Sequence, residues 1–525
     1  MTMQNILIAG RWQPSQGTAS FTAVDPKTKQ PLPERYPVSP WDEIAAALDA
    51  ASAAALTVRS WPGERFAKFL ERYADRIDAR AAELIAMAHA ETALPVTPRL
   101  KDAELPRTSN QLRQAAAAAR EGSWKRATID SKANIRSQME PLGPVAVFGP
   151  NNFPFAFNGM VGGDFAAAVA AGNPVIAKGH SSHPGTTRLF AEEAQAAANE
   201  TEMPPGFVQL IYRTSHEDGA KLAGDHRLGA IGYTGSRSAG TLLKTAADAV
   251  GKPIYLELSS INPVFVLPGA TTPEFAEQYA GSCLMGTGQF CTNPGLVVMQ
   301  AGAATEAVIA DIVSRFQAAA NGVLLGEGVL RNLSSGVQTL VKHGAELLVG
   351  GEPDGQNTGY CFQNTLLRTT GKKFIAAPDA LQTEAFGNAA LMVVVDSADE
   401  LVAVAKSLEG NLTGCVYSAA DGSDDALYAR LEPVLRTKVG RLLNDKMPTG
   451  VAVSAAMNHG GPFPATGHPG FTAVGIPASI ARFSMLACYD GVRPNRLPAA
   501  LQNRNPNGAM WRLVDGVWTQ GDVAQ

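Results

Sequence analysis

Val145-Ala146-Val147-Phe148-Gly149-Pro150-Asn151-Asn152-Phe153-Pro154 is an apolar run that stops at a glycine and opens into a polar turn closed by proline. A short apolar run bounded by turn residues reads as a buried strand. The same unit recurs on the C-terminal side of this stretch. Pro174 to Ala177, Phe207 to Ile211, Leu228 to Tyr233 and Ile254 to Leu256 read as further strands, and Phe165 to Ala171, Thr186 to Asn199 and Ala239 to Val250 as the helices between them. Strands alternating with helices predict a parallel sheet covered on both faces. Such sheets bind ligands outside the carboxyl ends of their strands. Chemistry is therefore expected in the loops Gly149 to Pro154, Lys178 to His183, Tyr212 to Ser215 and Thr234 to Ser238.

Upstream the chain reads as helical. Ser39-Pro40-Trp41-Asp42 has the form of a helix start, with Ser39 as cap and Pro40 at the first helical position. Phe66, Phe69, Leu70, Tyr73 and Ile77 recur at helical spacing and predict a core-facing stripe. A second alternating set begins near Pro263. Val264 to Leu267, Leu296 to Met299 and Leu391 to Val395 read as strands, and Ala303 to Ala319 and Gln338 to Leu348 as helices. Ala127 to Met139, polar with partial alternation, predicts an exposed hairpin, and the Asn-, Pro- and Gly-rich tail after Pro494 predicts low order or a packing arm.

The chain has 525 residues, too many for one small core, and its composition is that of a soluble globular protein. A net charge of -4 without a basic block leaves nucleic acid no footprint. No apolar run is long enough for a membrane span, and the N-terminus carries no secretory pattern. Cys283, Cys291, Cys361, Cys415 and Cys488 are scattered, which argues against a disulfide framework or a zinc site. A reducing, cytoplasmic location is expected. His180 and His183 lie close together but lack a nearby acid or thiol, so they read as loop residues and no metal is expected.

Gly286-Thr287-Gly288-Gln289-Phe290-Cys291-Thr292 places one cysteine in a small glycine-rich loop. A thiol is a strong nucleophile only as its thiolate, and glycines let backbone N–H groups approach a reacting carbonyl. By itself Cys291 reads equally as a buried structural thiol. The side-chain amide of Asn152 is placed to donate to an oxyanion, or simply to shape a turn before proline. Lys178 ends a strand, where it can reach a ribose hydroxyl or point into solvent. The N–H groups of Thr234-Gly235-Ser236 can hold a pyrophosphate at a helix N-terminus, or Ser236 is an ordinary cap; the Gly-x-Gly-x-x-Gly fingerprint is absent. Glu257 sits in the apolar strand end Leu256-Glu257-Leu258, as a general base or a paired core carboxylate.

Taken jointly these segments resemble the aldehyde dehydrogenase superfamily over most of the chain. Asn151-Asn152-Phe153-Pro154 resembles that family's Trp-Asn-Phe-Pro loop, with Asn151 in place of Trp. Thr234-Gly235-Ser236 matches its Thr-Gly-Ser turn. Leu256-Glu257-Leu258-Ser259-Ser260 resembles its Glu-Leu-Gly-Gly motif, with Ser259-Ser260 in place of the glycines. Gly288-Gln289-Phe290-Cys291-Thr292 matches its nucleophile signature, and Glu384-Ala385-Phe386-Gly387 its Glu-x-Phe-Gly motif. The resemblance implies an α/β fold with a Rossmann-like parallel-sheet cofactor domain (1–126 and 145–256) and an α/β catalytic domain (257–480). A small β oligomerisation element with the tail (127–144 and 481–525) completes it. It implies that Cys291 attacks an aldehyde, Asn152 and the Cys291 N–H hold the oxyanion, and Glu257 activates the water that hydrolyses the thioester. Glu384 and Phe386 would then hold the nicotinamide ribose, Gly235 and Ser236 the pyrophosphate, and Lys178 the adenosine ribose.

Cofactor and substrate follow from departures within that resemblance. NAD-preferring relatives carry Glu three residues after this Lys; here the position is Ser181, and Arg213 can pair with a 2′-phosphate. NADP is therefore expected, with NAD possible. Met457 to Thr466 departs from the pattern of many relatives and, with the loop Arg107 to Arg113, resembles the NADP-linked branch containing 2-oxoglutarate semialdehyde (2,5-dioxopentanoate) dehydrogenases and a fatty-aldehyde enzyme. Arg107 is the candidate clamp for a substrate carboxylate. Phe155, Phe157, Phe290 and Phe463 are candidate tunnel walls or core. A homodimer or homotetramer is implied, with no nucleic acid or membrane partner. The rival readings are a CoA-acylating relative, a non-catalytic relative and a Cys–His hydrolase. The last needs a histidine partner for Cys291, and no motif identifies one.

Overall fold

Valine, alanine and phenylalanine without interruption leave Val145–Phe148 no solvent face, and the strand lies buried inside a seven-stranded sheet. The computed structural model describes residues 3–468 and 470–523. Val145–Phe148 is flanked in parallel by Val175–Lys178 and Ala230–Thr234. Val208–Ile211 lies beyond the first and Ile254–Glu257 beyond the second. The chain thus builds outward on one side, then returns to build on the other. That reversal opens a crevice between the loops after Val145–Phe148 and Ala230–Thr234. Ile6–Ile8 and Arg11–Gln13 extend the sheet antiparallel.

A second seven-stranded sheet follows the order Glu346–Val349, Thr365–Thr370, Ala389–Val395, Leu296–Gln300, Val264–Val266, Asn411–Tyr417, Val439–Asn444. All its pairs are parallel except that of Glu346–Val349 with Thr365–Thr370. The third sheet joins Ser484–Asp490, Ile135–Pro141, Thr128–Asp130, Arg512–Val514 and Val517–Thr519. The hairpin expected at Ala127 to Met139 is present, and the tail contributes two strands to it. Arg512, wholly buried, anchors the tail by donating to the carbonyls of Gln502 (2.6 Å) and Gly521 (2.9 Å).

Local chemistry explains the differences from expectation. The first helix is Trp41–Val58, with Pro40 rather than Ser39 at its cap, and no side chain caps it. Instead the Ser39 N–H donates to the Arg213 carbonyl, which takes the residue out of the capping geometry. The helix expected at Gln338 to Leu348 is Glu327–Lys342; Gly344, at φ 96°, turns the chain, and Glu346–Val349 pairs as an edge strand. His216–Gly224, started by a Ser215 hydroxyl that accepts from the Asp218 N–H at 3.0 Å, was not anticipated, because it buries only Gly219, Leu222 and Ala223. Phe471, Ala473, Val474 and Ile480 pack into the first sheet's core, although they fall in the stretch expected to belong to the second.

Candidate active site

Cys291 hangs from a loop that only its own sequence allows. Gly286, Thr287 and Gly288 all have left-handed φ (56°, 58° and 66°), so the chain coils tightly before the nucleophile. A Cβ on Gly288 would lie 2.0 Å from the Gly387 carbonyl oxygen, so no other residue fits there. Gln289 fastens the loop: its Oε1 accepts from the Leu325 N–H at 2.8 Å, and its amide donates to the Gly286 and Val323 carbonyls. Asn262 donates to the Cys291 carbonyl at 2.9 Å. Cys291 Sγ then faces a cavity of about 240 Å³ lined also by Asn152, Gly235, Ser236, Glu257, Glu384 and Phe386. Seven residues singled out in the sequence thus meet in one space.

No motif identifies a partner for the thiol, and the fold supplies one. His459 Nε2 lies 3.4 Å from Cys291 Sγ and 2.9 Å from Glu257 Oε1. His459 and Glu257 are both almost wholly buried. The His459 backbone N–H donates to the Thr472 hydroxyl at 3.0 Å, and the Phe157 ring sits 5.8 Å from the imidazole. Glu257 Oε2 is buried and has no hydrogen-bond partner. Such an orphaned oxygen is costly unless something transient occupies it. Burial pushes the Cys291 thiol well up, the Glu257 carboxylate adds to the rise, and Arg107 opposes it. At rest the sulfur therefore holds its proton, and an acceptor at contact distance becomes a requirement for attack.

The Asn152 loop is held from behind. Arg99 donates to the Asn152 carbonyl at 2.9 Å and pairs with Glu104 at 2.6 Å. Glu104 accepts from the N–H groups of Phe155 and Ala156 at 2.8 and 3.0 Å. The Asn152 amide donates to the Gln289 carbonyl at 3.0 Å, which leaves its second N–H for the cavity. His183, read as a loop residue, is buried, and its Nε2 sits 2.9 Å from the Pro150 carbonyl in the same loop.

A larger cleft of about 690 Å³ opens along the carboxyl edge of the first sheet. Lys178, His180, Ser181, Arg213, Gly235 and Ser236 line it, and Gly235 and Ser236 face both spaces. Desolvation, helped by the nearby Arg213 charge, lowers Lys178 to about 8. The Ser236 hydroxyl accepts from the Ala239 N–H at 3.4 Å at the start of the helix Arg237–Asp248, so it serves as a cap. Desolvation raises the Glu384 carboxyl to about 7 against hydrogen bonds from Ser259 and Ser260. Two cations and a helix N-terminus on one wall are the donor set of a phosphate-bearing ligand, and a dinucleotide fits this cleft and the adjoining cavity.

The aromatic candidates divide. Phe290 and Phe157 flank Phe153, with edge-on contacts at 5.6 and 5.3 Å. Arg107 lies over this group, 5.3 Å from the Phe157 ring; its Nε donates to Gln111 and its buried Nη2 has no partner. Phe155 is instead wholly buried against Phe190 at 5.5 Å and belongs to the core. Phe463 is 66% exposed and turned out to the surface, because its neighbours Pro462 and Pro464 carry the chain round the outside of the Gly410 turn. None of Phe155, Phe157, Phe290, Phe463 and Arg107 lines the cavity of about 240 Å³ itself. Phe157 reaches the site through its contact with His459.

A doubly wound cofactor-type sheet facing a half-buried cysteine, in the loop that leads into a strand of the second sheet, defines the class. The chain belongs to the aldehyde dehydrogenase family, whose description matches residues 12–433, and it is an aldehyde-oxidising dehydrogenase. It is 38% identical to alpha-ketoglutaric semialdehyde dehydrogenase 2 of Azospirillum brasilense, over 98% of this chain and 99% of that one. It is 34% identical to alpha-ketoglutaric semialdehyde dehydrogenase of Acinetobacter baylyi, over 94% of each. In fold it is similar to a solved NAD-dependent aldehyde dehydrogenase from Sinorhizobium meliloti, with a TM-score of 0.79, 22% identity and coverage of 93% and 94%.

Proposed function

We propose that this enzyme oxidises 2-oxoglutarate semialdehyde (2,5-dioxopentanoate) to 2-oxoglutarate with NADP, through a thioester on Cys291. The observation that carries the reading is the cluster Cys291 Sγ, His459 Nε2 and Glu257 Oε1, with contacts of 3.4 and 2.9 Å, beside the cavity that Cys291, Glu257 and Asn152 line together. The thiol proton goes to the partnerless Oε2 of Glu257 as sulfur attacks the aldehyde carbon. The His459 Nε2–H stays donated to Oε1 and holds the carboxylate in place, and the proton then passes to solvent before hydrolysis. The free N–H of Asn152 and the Cys291 N–H hold the oxyanion of the thiohemiacetal. The nicotinamide, when bound, supplies the hydride acceptor that converts this adduct to a thioester. Glu257 Oε2, which has no protein partner, takes a proton from the water that hydrolyses it.

Arg107 supports the substrate choice. A buried guanidinium with a free Nη2 beside Phe153 and Phe157 is a partner for a chain that ends in carboxylate. Two similar proteins named for alpha-ketoglutaric semialdehyde support the same choice. For the cofactor, Lys178, Ser181 and Arg213 line one cleft, which supports Lys178 as the partner of the adenosine ribose and Ser181 with Arg213 as partners of a 2′-phosphate. Glu384 and Phe386, on the cavity wall, hold the nicotinamide ribose. The exposed edge of the third sheet supports a homodimer or homotetramer in the cytoplasm. The test is kcat/KM for a panel of semialdehyde acids and alkyl aldehydes with NADP and with NAD. The semialdehyde acid with NADP is expected to lead; a clear preference for hexanal would favour the fatty-aldehyde reading, and a clear preference for NAD would remove the 2′-phosphate assignment.

A further inference from the structure

Histidine beside the nucleophile changes what else the site can bind. Cys291, Glu257 and His459 each offer one ligand atom, and these atoms all lie within 4.8 Å of one another. We propose that Cys291 Sγ, His459 Nε2 and the Glu257 carboxylate form a three-ligand site for a zinc-type divalent cation, and that filling it reversibly switches the enzyme off.

Three features carry this inference. The first is donor chemistry: thiolate, imidazole and one carboxylate match a borderline cation, and a single carboxylate is too little for magnesium or calcium. The second is spacing. Tetrahedral zinc holds a sulfur and a nitrogen ligand ~3.5 Å apart, and a nitrogen and an oxygen ~3.3 Å apart. The observed separations are 3.4 Å for Sγ to Nε2 and 2.9 Å for Nε2 to Oε1. The third separation, from Sγ to the carboxylate, is within 4.8 Å. Opening the Nε2–Oε1 contact by about 0.4 Å and turning the Glu257 carboxylate until it lies ~3.5 Å from sulfur completes the set. The third is vacancy in the hydrogen bonding: Glu257 Oε2 is buried without a partner, and the cavity of about 240 Å³ gives access and room for water as the fourth ligand.

Binding breaks the Cys291 S–H bond, forms an S–metal bond and releases one proton to solvent, with no change of oxidation state. The sulfur so held cannot attack an aldehyde, and the carboxylate so held cannot accept its proton. Inhibition is therefore competitive with aldehyde and reversed by a chelator.

Cofactor-free enzyme in thiol-free buffer is titrated with Co2+ and then Zn2+. One equivalent of cobalt is expected to produce a thiolate-to-cobalt charge-transfer band in the near ultraviolet, which zinc bleaches. Zinc affinity, measured by competition with a chelating dye, is expected to fall by more than about 100-fold in His459→Gln and in Cys291→Ser, more than loss of an outer partner causes. Cys488→Ser, on the exposed edge strand of the third sheet, is expected to bind zinc as the wild type does. Absence of the charge-transfer band overturns the proposal. So does an affinity within about threefold of wild type in His459→Gln, with its fold checked by circular dichroism. Aldehyde oxidation in metal-free buffer is read separately, so failure here leaves the assigned reaction standing.

Discussion

At Cys291 burial works against reactivity, since the environment that shields a thioester from stray water also keeps the thiol protonated. The Glu257 carboxylate resolves the conflict as proton acceptor, and His459 positions it through the Nε2–H donated to Oε1 at 2.9 Å, beside the sulfur at 3.4 Å. Glu257→Gln is expected to lower kcat at neutral pH by about 100-fold or more, the worth of a positioned general base. Its remaining rate should climb with pH as the thiol ionises unaided, whereas the wild type should vary far less; parallel pH profiles in a steady-state assay would contradict this role. At Arg107 the issue is recognition. Loss of a charge-assisted hydrogen bond costs about 1.5–3 kcal/mol, so Arg107→Ala is expected to raise KM roughly tenfold or more for a semialdehyde acid. Hexanal, which has no carboxylate, should show little change, and equal effects on both substrates would remove the clamp.

At the scale of elements, the nucleophile loop and the strand ends set the geometry that those residues use. The turn at Gly286, Thr287 and Gly288 holds Thr287 in a left-handed conformation that a side chain resists. Gly288→Ala adds a Cβ 2.0 Å from the Gly387 oxygen, together with roughly 1–3 kcal/mol of backbone strain. The loop should shift, with a lower melting temperature and a kcat loss of at least about tenfold, because displacing a reacting atom by about 1 Å is costly. Lys178, at the end of its strand, titrates near about 8 because burial and Arg213 disfavour its charge. Its folded value lies below its unfolded one, so the charge burdens the fold below pH 8, and stability contributed by this group rises between there and the unfolded value. Cofactor binding runs the other way. An anionic ligand favours the charged lysine, so Kd for NADP should rise as pH climbs through about 8, and Lys178→Met should flatten that rise. Isothermal titration across pH 6.5 to 9.5, about 1.5 units either side of this value, measures both.

At the scale of the whole molecule, two doubly covered sheets face one another and a third stands apart with an unpaired edge. Ser484–Asp490 is that edge, and Met485 and Leu486 on it are more than half exposed. An apolar open edge is a template for another chain, so Leu486→Lys is expected to reduce the assembly to smaller species in light scattering. Unchanged mass would place the interface elsewhere. Among the described residues no helix is long and apolar enough to cross a membrane. The apolar inner strands of the first sheet, and Val264–Val266, Leu296–Gln300 and Ala389–Val395 of the second, could be read from the chain because a doubly covered strand must be apolar and such runs stand out locally. Thr365–Thr370, Asn411–Tyr417 and Val439–Asn444, which carry polar residues, could not. The positions of Glu257 and Cys291 could be read for a similar reason: each sits in a short contiguous motif whose neighbours shape it. What the chain could not disclose was His459, which is 168 residues from Cys291 and 202 from Glu257 in a segment without regular structure. Nor could it separate Phe155, packed on Phe190, from Phe157, packed on His459, since alternate residues of one loop face different neighbours. Linear order records propensity, periodicity and turn chemistry, because those act between residues close along the chain. Which distant side chain completes a site, and which aromatic ring faces it, is decided only when separate elements pack, because contact at 3 to 6 Å depends on the packing of the whole core.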